Sequence, residues 1–291
     1  MMYRNICLTL SMILTSTFVT ARGEDSMLTE LTLHGIAMTD SVVLKLAPPT
    51  LIGSLSRSER DDLAGNFGWD RFSKDSVVAP IWIDLDYIQD EGGKRVGHSI
   101  HFRFVVHERL DRLRDRNIMT SLFGSPASDA SDTGAFVELT PTEMATHGIP
   151  TSANTYSGFA AVPLMNRVLL RGVIAGQTID IDQGVVLTWR LVDSIEPGDE
   201  YAARWSPLTR DSLGNQVEGE PQPYRGAGGY LHLQSLESIE DSLNSACLVE
   251  AKILLHEPQL WFGSSNFLRS KFPLMIQEAV RKMRRTLAAE S

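Results

Sequence analysis

The strictest local constraint lies between residues 81 and 106. In "VVAPIWIDLDYIQ" the odd positions Ile81, Ile83, Leu85 and Tyr87 are apolar, and Asp84 and Asp86 alternate with them. After "DEGG" (90–93), "RVGHSIHFRFVVH" places Val96, Ile100, Phe102, Phe104 and Val106 on even positions, against Ser99, His101, Arg103 and His107. Period-two patterning on both sides of a Gly-Gly turn predicts an antiparallel hairpin with one apolar and one solvated face. Such a hairpin is not stable alone, so its apolar face needs more strands or a helix to cover it.

The rest of the chain supplies both. Strands are expected at 156–162, 167–175, 178–182, 185–192, 200–205, 230–236 and 247–256, with a tight turn at "DQG" (182–184). The chain closes on an amphipathic segment, 266–288. There Leu268, Phe272, Met275, Ile276, Ala279, Val280, Met283 and Leu287 recur at three- and four-residue spacing. Ser265 or Asn266 is placed to cap this helix, and Pro273 falls in its first turns or kinks it. Arg281, Lys282, Arg284 and Arg285 crowd its far end and are expected exposed or paired with acids; cations there complement the helix dipole. The fold class that follows is α+β: a curved antiparallel meander with a long C-terminal helix packed on it.

Elsewhere "LTELTLHGIAMTDSVVLKLA" (28–47) reads as two short strands around "MTDS", stopped by "PPT" (48–50). "LSRSERDDLAG" (55–65) has the serine start and glycine stop of a surface helix. Residues 108–124 take helical spacing, and "SPASDASDTG" (125–134) reads as a flexible connection. "AFVEL" and a short helix in "TPTEMATHG" follow. Residues 206–229, rich in Gly and Pro, read as a long aperiodic loop available as a lid. The expected division is therefore 1–21, 22–124, 125–134 and 135–291, with 22–124 either separate from the last segment or part of the same domain.

Residues 1–21 have the order of a secretory signal: Arg4, the apolar run 6–19, and small residues ending at Ala21, after which cleavage is expected. Export to the periplasm or exterior follows as an expectation. No later apolar run reaches 18 residues, so no spanning helix is expected in the mature chain. A formal net charge of -9 argues against nucleic acid as the main partner. Cys247 shares strand parity with Val249, Ala251, Ile253 and Leu255 and reads as a buried, inert thiol.

The closing pattern carries a resemblance. "GGYLHLQSL", then "CLVEAKILLHEP", then "WFGSSNFLRSKFPLMIQEAVRKMRR" is similar to the end of START-like (helix-grip) domains, over roughly residues 156–289. The resemblance implies a helix that closes a cavity over the sheet, and a hydrophobic ligand such as a lipid or polycyclic compound within it. Cavity-lining candidates are then Phe272, Met275, Ile276, Ala279, Met283 and Trp189.

No catalytic residue, metal ligand set or cofactor motif is assigned. His101 and His107 share a strand face but lie about 20 Å apart, too far for one metal. His256-Glu257 lacks the second histidine of a zinc protease. "TYSGF" and "FGSSN" lack the flanking glycines of a nucleophile elbow, and "RGAGG" lacks the lysine of a phosphate loop. Trp189, Trp205 and Trp261 read as core. Two other function classes stay open. One is a hydrolase or isomerase using a carboxylate such as Asp84 or Asp180, whose neighbours Asp86 and Asp182 share their strand faces. The other is an envelope-associated interaction protein without a pocket. The oligomeric state is not legible.

Overall fold

A computed structural model of the chain describes residues 26–114, 136–149, 155–262 and 265–290. The proposed signal segment and the connection at 125–134 lie outside these residues, as does most of the helical stretch 108–124, of which Leu110–Leu113 (α4) is seen.

The predicted hairpin is β3 (Trp82–Gln89) and β4 (Arg95–Val106), paired antiparallel with Leu85 opposite Ile100. Around it lie β5 (Phe136–Glu138), β6 (Thr155–Leu164), β7 (Val168–Ile181), β8 (Gly184–Leu191), β12 (Ala227–Ser235) and β13 (Cys247–His256). Their pairings give the order β5-β6-β7-β8-β12-β13-β4-β3, antiparallel throughout. The last strand thus joins the first large hairpin, which forms one edge of an open, curved sheet, and one long helix, α6 (Phe267–Glu290), packs on one face. The fold is α+β, as expected.

Four local expectations change. Met27–Leu33 is a helix (α1), not a strand: Ser26 Oγ accepts the Thr29 N–H at 3.1 Å, and Met27 and Leu31, four apart, are both buried. Only the two-residue strands β1 (Ile36–Ala37) and β2 (Val43–Leu44) flank "MTDS". The strands predicted at 167–175 and 178–182 are one, β7, because continuous pairing with β6 carries the chain through Gly176 and Gln177. The strand predicted at 200–205 lies later, as β9 (Arg204–Arg210), beside the first half of β7. The supposed lid at 206–229 is mostly paired. β9 turns back into β10 (Gln216–Glu218), and β11 (Gln222–Pro223) pairs β9 near its start. Asp211 Oδ1 accepts the N–H groups of Leu213 and Asn215 at 2.9 and 2.8 Å, which fixes that turn.

The two short helices expected at 55–65 and in "TPTEMATHG" both form, each started by a capping box. Ser56 with Glu59 starts α2 (Arg57–Ala64), and Thr140 with Glu143 starts α5 (Pro141–Thr146).

Candidate functional site

The two faces of the sheet are both covered, by different means. The face toward α6, here the inner face, presents Ile100, Phe102, Phe104, Cys247, Val249, Ala251, Leu231, Leu233, Leu187 and Trp189, all buried. On α6 the buried apolar residues are Leu268, Phe272, Val280, Met283 and Leu287. Met275, Ile276 and Ala279, between them, are only half-buried. The stripe is therefore sealed at both ends and partly open in its middle. Of the six sequence-predicted lining residues, Phe272, Met283 and Trp189 lie in the inner core, and Met275 and Ile276 pack against it.

Most inner-face groups are inert. Cys247 is fully buried, and burial pushes its thiol up to about 12, so it stays protonated. Trp205 and Trp261 meet edge to face at 5.9 Å, and Tyr224 stacks on Trp261 at 5.4 Å, so these tryptophans pack in the core. Tyr156 lies over Gly176, its cross-strand neighbour, where any side chain would strike the phenol. Its hydroxyl and the Trp261 Nε1 are buried without a hydrogen-bond partner among the described residues. Burial holds the Tyr156 phenol well above its ordinary range.

A polar clamp fixes the start of α6. His98 falls in step with Ile100 and Phe102, and its Nε2 lies 2.6 Å from Glu257 Oε2. Arg95 Nε reaches the same oxygen at 3.0 Å, and its Nη2 donates to both Glu257 Oε1 and the Ser265 carbonyl. Tyr87 donates its hydroxyl proton to Asn266 Oδ1 at 2.8 Å. A buried charge left alone would be costly, and here Glu257 has two partners.

Arg284 is the main correction at the far end. Arg281, Lys282 and Arg285 are exposed, as expected, but Arg284 is 7% exposed and forms no salt bridge among the described residues, Asp75 acting on it only through its charge. Its guanidinium donates to Val105 O at 2.8 and 3.1 Å and to Ala79 O at 2.6 Å. β3 pairs with β4 only from Trp82 opposite Arg103, so the Val105 carbonyl lies past the end of that pairing. A planar fork with several donors suits two such carbonyls. Burial lowers its pKa to about 10, which still leaves it charged at neutral pH.

The outer face holds a cluster that alternation alone did not reveal. Glu250 is fully buried there. His101 Nε2 and Arg103 Nε lie 2.8 and 3.0 Å from Oε1, which also accepts the Thr50 hydroxyl at 3.0 Å, while Oε2 accepts the Thr50 backbone N–H at 2.7 Å. Burial opposes the Glu250 charge, but the bonds from His101 and Thr50 and the Arg103 charge outweigh it and hold the carboxyl far below its usual range. His232 Nδ1, at 3.8 Å, is too distant for a hydrogen bond. Two glutamines act likewise: Gln234 accepts the Ile52 N–H at 2.9 Å, and Gln177 accepts the Met27 N–H at 2.7 Å. The N-terminal segment is thus pinned to the sheet by three side-chain acceptors. The available signal was a lone Glu inside the apolar strand "CLVEAKILLH".

The aspartates do not form a site. Asp84, Asp86 and Asp182 are exposed, and Asp180 is tied to Arg114 at 2.9 Å.

The class of fold is α+β, an open, curved antiparallel sheet with one long C-terminal helix packed on one face. No protein-family model matches the chain, and none of the curated proteins does. Among solved structures it is similar to the lipid transfer and protein localization domain of human StarD13 (DLC2), at 11% identity and a TM-score of 0.40, over 70% of this chain and 83% of that one. It is also similar to an uncharacterized protein from Rhizobium leguminosarum (6% identity, TM-score 0.29, 71% and 99% covered) and to Mll3558 from Rhizobium loti (9%, 0.31, 70% and 99%). These are likenesses of fold outline, and neither ligand nor activity follows from them.

Proposed function

We propose that this is an exported, non-enzymatic protein that holds an apolar, lipid-like molecule between the inner face of its sheet and α6. The observation that carries the reading is the incompletely buried middle of the α6 stripe. Met275, Ile276 and Ala279 leave apolar surface open between two well-packed ends. Leaving such surface in water is unfavourable, and an apolar ligand removes it at roughly 25 cal/mol per Å². The unpartnered Tyr156 hydroxyl and Trp261 N–H add support, because a mostly apolar pocket with few polar groups is the usual form of a small-molecule site. Export rests on the order of charge, apolar run and small residues in 1–21.

The test is native mass spectrometry of the purified full chain, followed by solvent extraction. A bound amphiphile displaced by Ile276→Trp, with folding intact, is the expected result. A protein that emerges empty and takes up no fatty acid or phospholipid sinks the reading.

A further inference from the structure

Beside the clamp, the approach to α6 exposes large apolar side chains that no fold argument requires. Leu260 is 77% exposed, and Leu274 is 60% exposed. Between them Phe262 and Phe267 are half-buried and stack with centroids 5.2 Å apart. Phe267, Lys271 and Leu274, at spacings of four and three, share one face of α6. Two cations sit over the Phe267 ring, Arg167 at 5.0 Å and Lys271 at 6.0 Å. Phe262 is held at φ 46, a left-handed backbone that a bulky side chain rarely adopts. Such strain persists where the surroundings enforce it, and it clusters at functional segments.

We infer that this aromatic and basic patch is where the protein rests on an anionic lipid bilayer. Isolated exposed leucines need no explanation, but here they flank stacked rings bearing cations, the combination that suits the boundary between headgroups and acyl chains. The patch is cationic in a chain of net charge -9. Screening over roughly 8 Å at physiological salt lets Arg167 and Lys271 act on a surface they touch, largely free of distant acidic residues. Glu278, one helical turn beyond Leu274, marks its far limit. Phe262 also packs against the inner core, so the patch continues into the helix–sheet interior. The inference extends the ligand reading without depending on it.

The test is sedimentation of the full chain with phosphatidylcholine vesicles, with and without about a third phosphatidylglycerol, at low and high salt. Binding to the anionic vesicles alone, weakened by salt, is expected. Arg167→Gln and Lys271→Gln should each weaken it about fivefold, at roughly the contribution of one cation near a charged surface. Leu260→Asp with Leu274→Asp should abolish binding while the melting temperature holds, since both side chains are exposed. Equal binding to neutral vesicles, no binding to either, or an unaffected double variant overturns the inference. A chain that proves empty by mass spectrometry yet sediments with anionic vesicles keeps this inference and overturns the ligand reading.

Discussion

The two faces of one sheet are buried by opposite strategies. The inner face is apolar throughout its middle and is covered by a single continuous helix with its own periodicity. The outer face is covered by α1, the β1–β2 hairpin, α2 and α3 (Trp69–Phe72), short pieces with little cohesion of their own. There the sheet lends side chains to hold them: Glu250, Gln234 and Gln177 each accept a backbone N–H from residues 27–52. A long amphipathic helix needs only apolar area, which is non-directional. Short irregular segments leave backbone donors unsatisfied, and directional bonds must be built for them.

That contrast can be broken in order of severity. Removing residues 267–290 should abolish cooperative unfolding of the sheet, since five large side chains of α6 are buried, at roughly 1.5–3 kcal/mol apiece. Circular dichroism during a urea titration would show it, and a retained transition midpoint would mean that α6 is not the inner cover. On the outer face, Glu250→Ala leaves Arg103 without its buried partner and frees two Thr50 donors. The expected loss is about 3–5 kcal/mol by urea unfolding. A loss no greater than that of Met275→Ala would erase the distinction between the faces.

Arg284→Leu should cost about 1–3 kcal/mol, because the Val105 and Ala79 carbonyls lose their donor. Arg284→Lys should recover only part of that, since an ammonium cannot span both carbonyls as the fork does.

Acid should act on the outer face first. Burial lowers the His101 pKa below its unfolded 6.5, so charging it opposes folding, and stability falls as pH drops below that value. Glu250 is held far below its unfolded 4.5, so its contribution, complete above that value, declines as pH falls further. Melting temperature should therefore decrease from pH 7 toward pH 4, and His101→Gln should flatten the upper part of that slope. The smallest effect belongs to Arg281, Lys282 and Arg285. Changing all three to Gln should move stability by only about 0.5 kcal/mol each or less, as exposed charges away from packed features do.

Where local period and local chemistry agreed, the chain by itself determined the structure. The alternation of 81–106 became β3 and β4, the stripe of 266–288 became α6, and the serine-started segment 55–65 became α2. These depend on contacts within a few residues, which a linear pattern records. The lining candidates on α6 were legible as an apolar stripe, but their division into sealed ends and an incompletely buried middle was not, because exposure depends on which strands face each turn of the helix. Tertiary structure alone decided that 28–33 coils, that β7 runs unbroken, and that the Gly- and Pro-rich 206–229 pairs with β9. It also decided which polar residues go inside. Thr50 and His101 lie 200 and 149 residues from Glu250, and Arg284 lies 179 from Val105. A buried charge is tolerable only beside its partners, and a period along the chain carries no information about partners so far away.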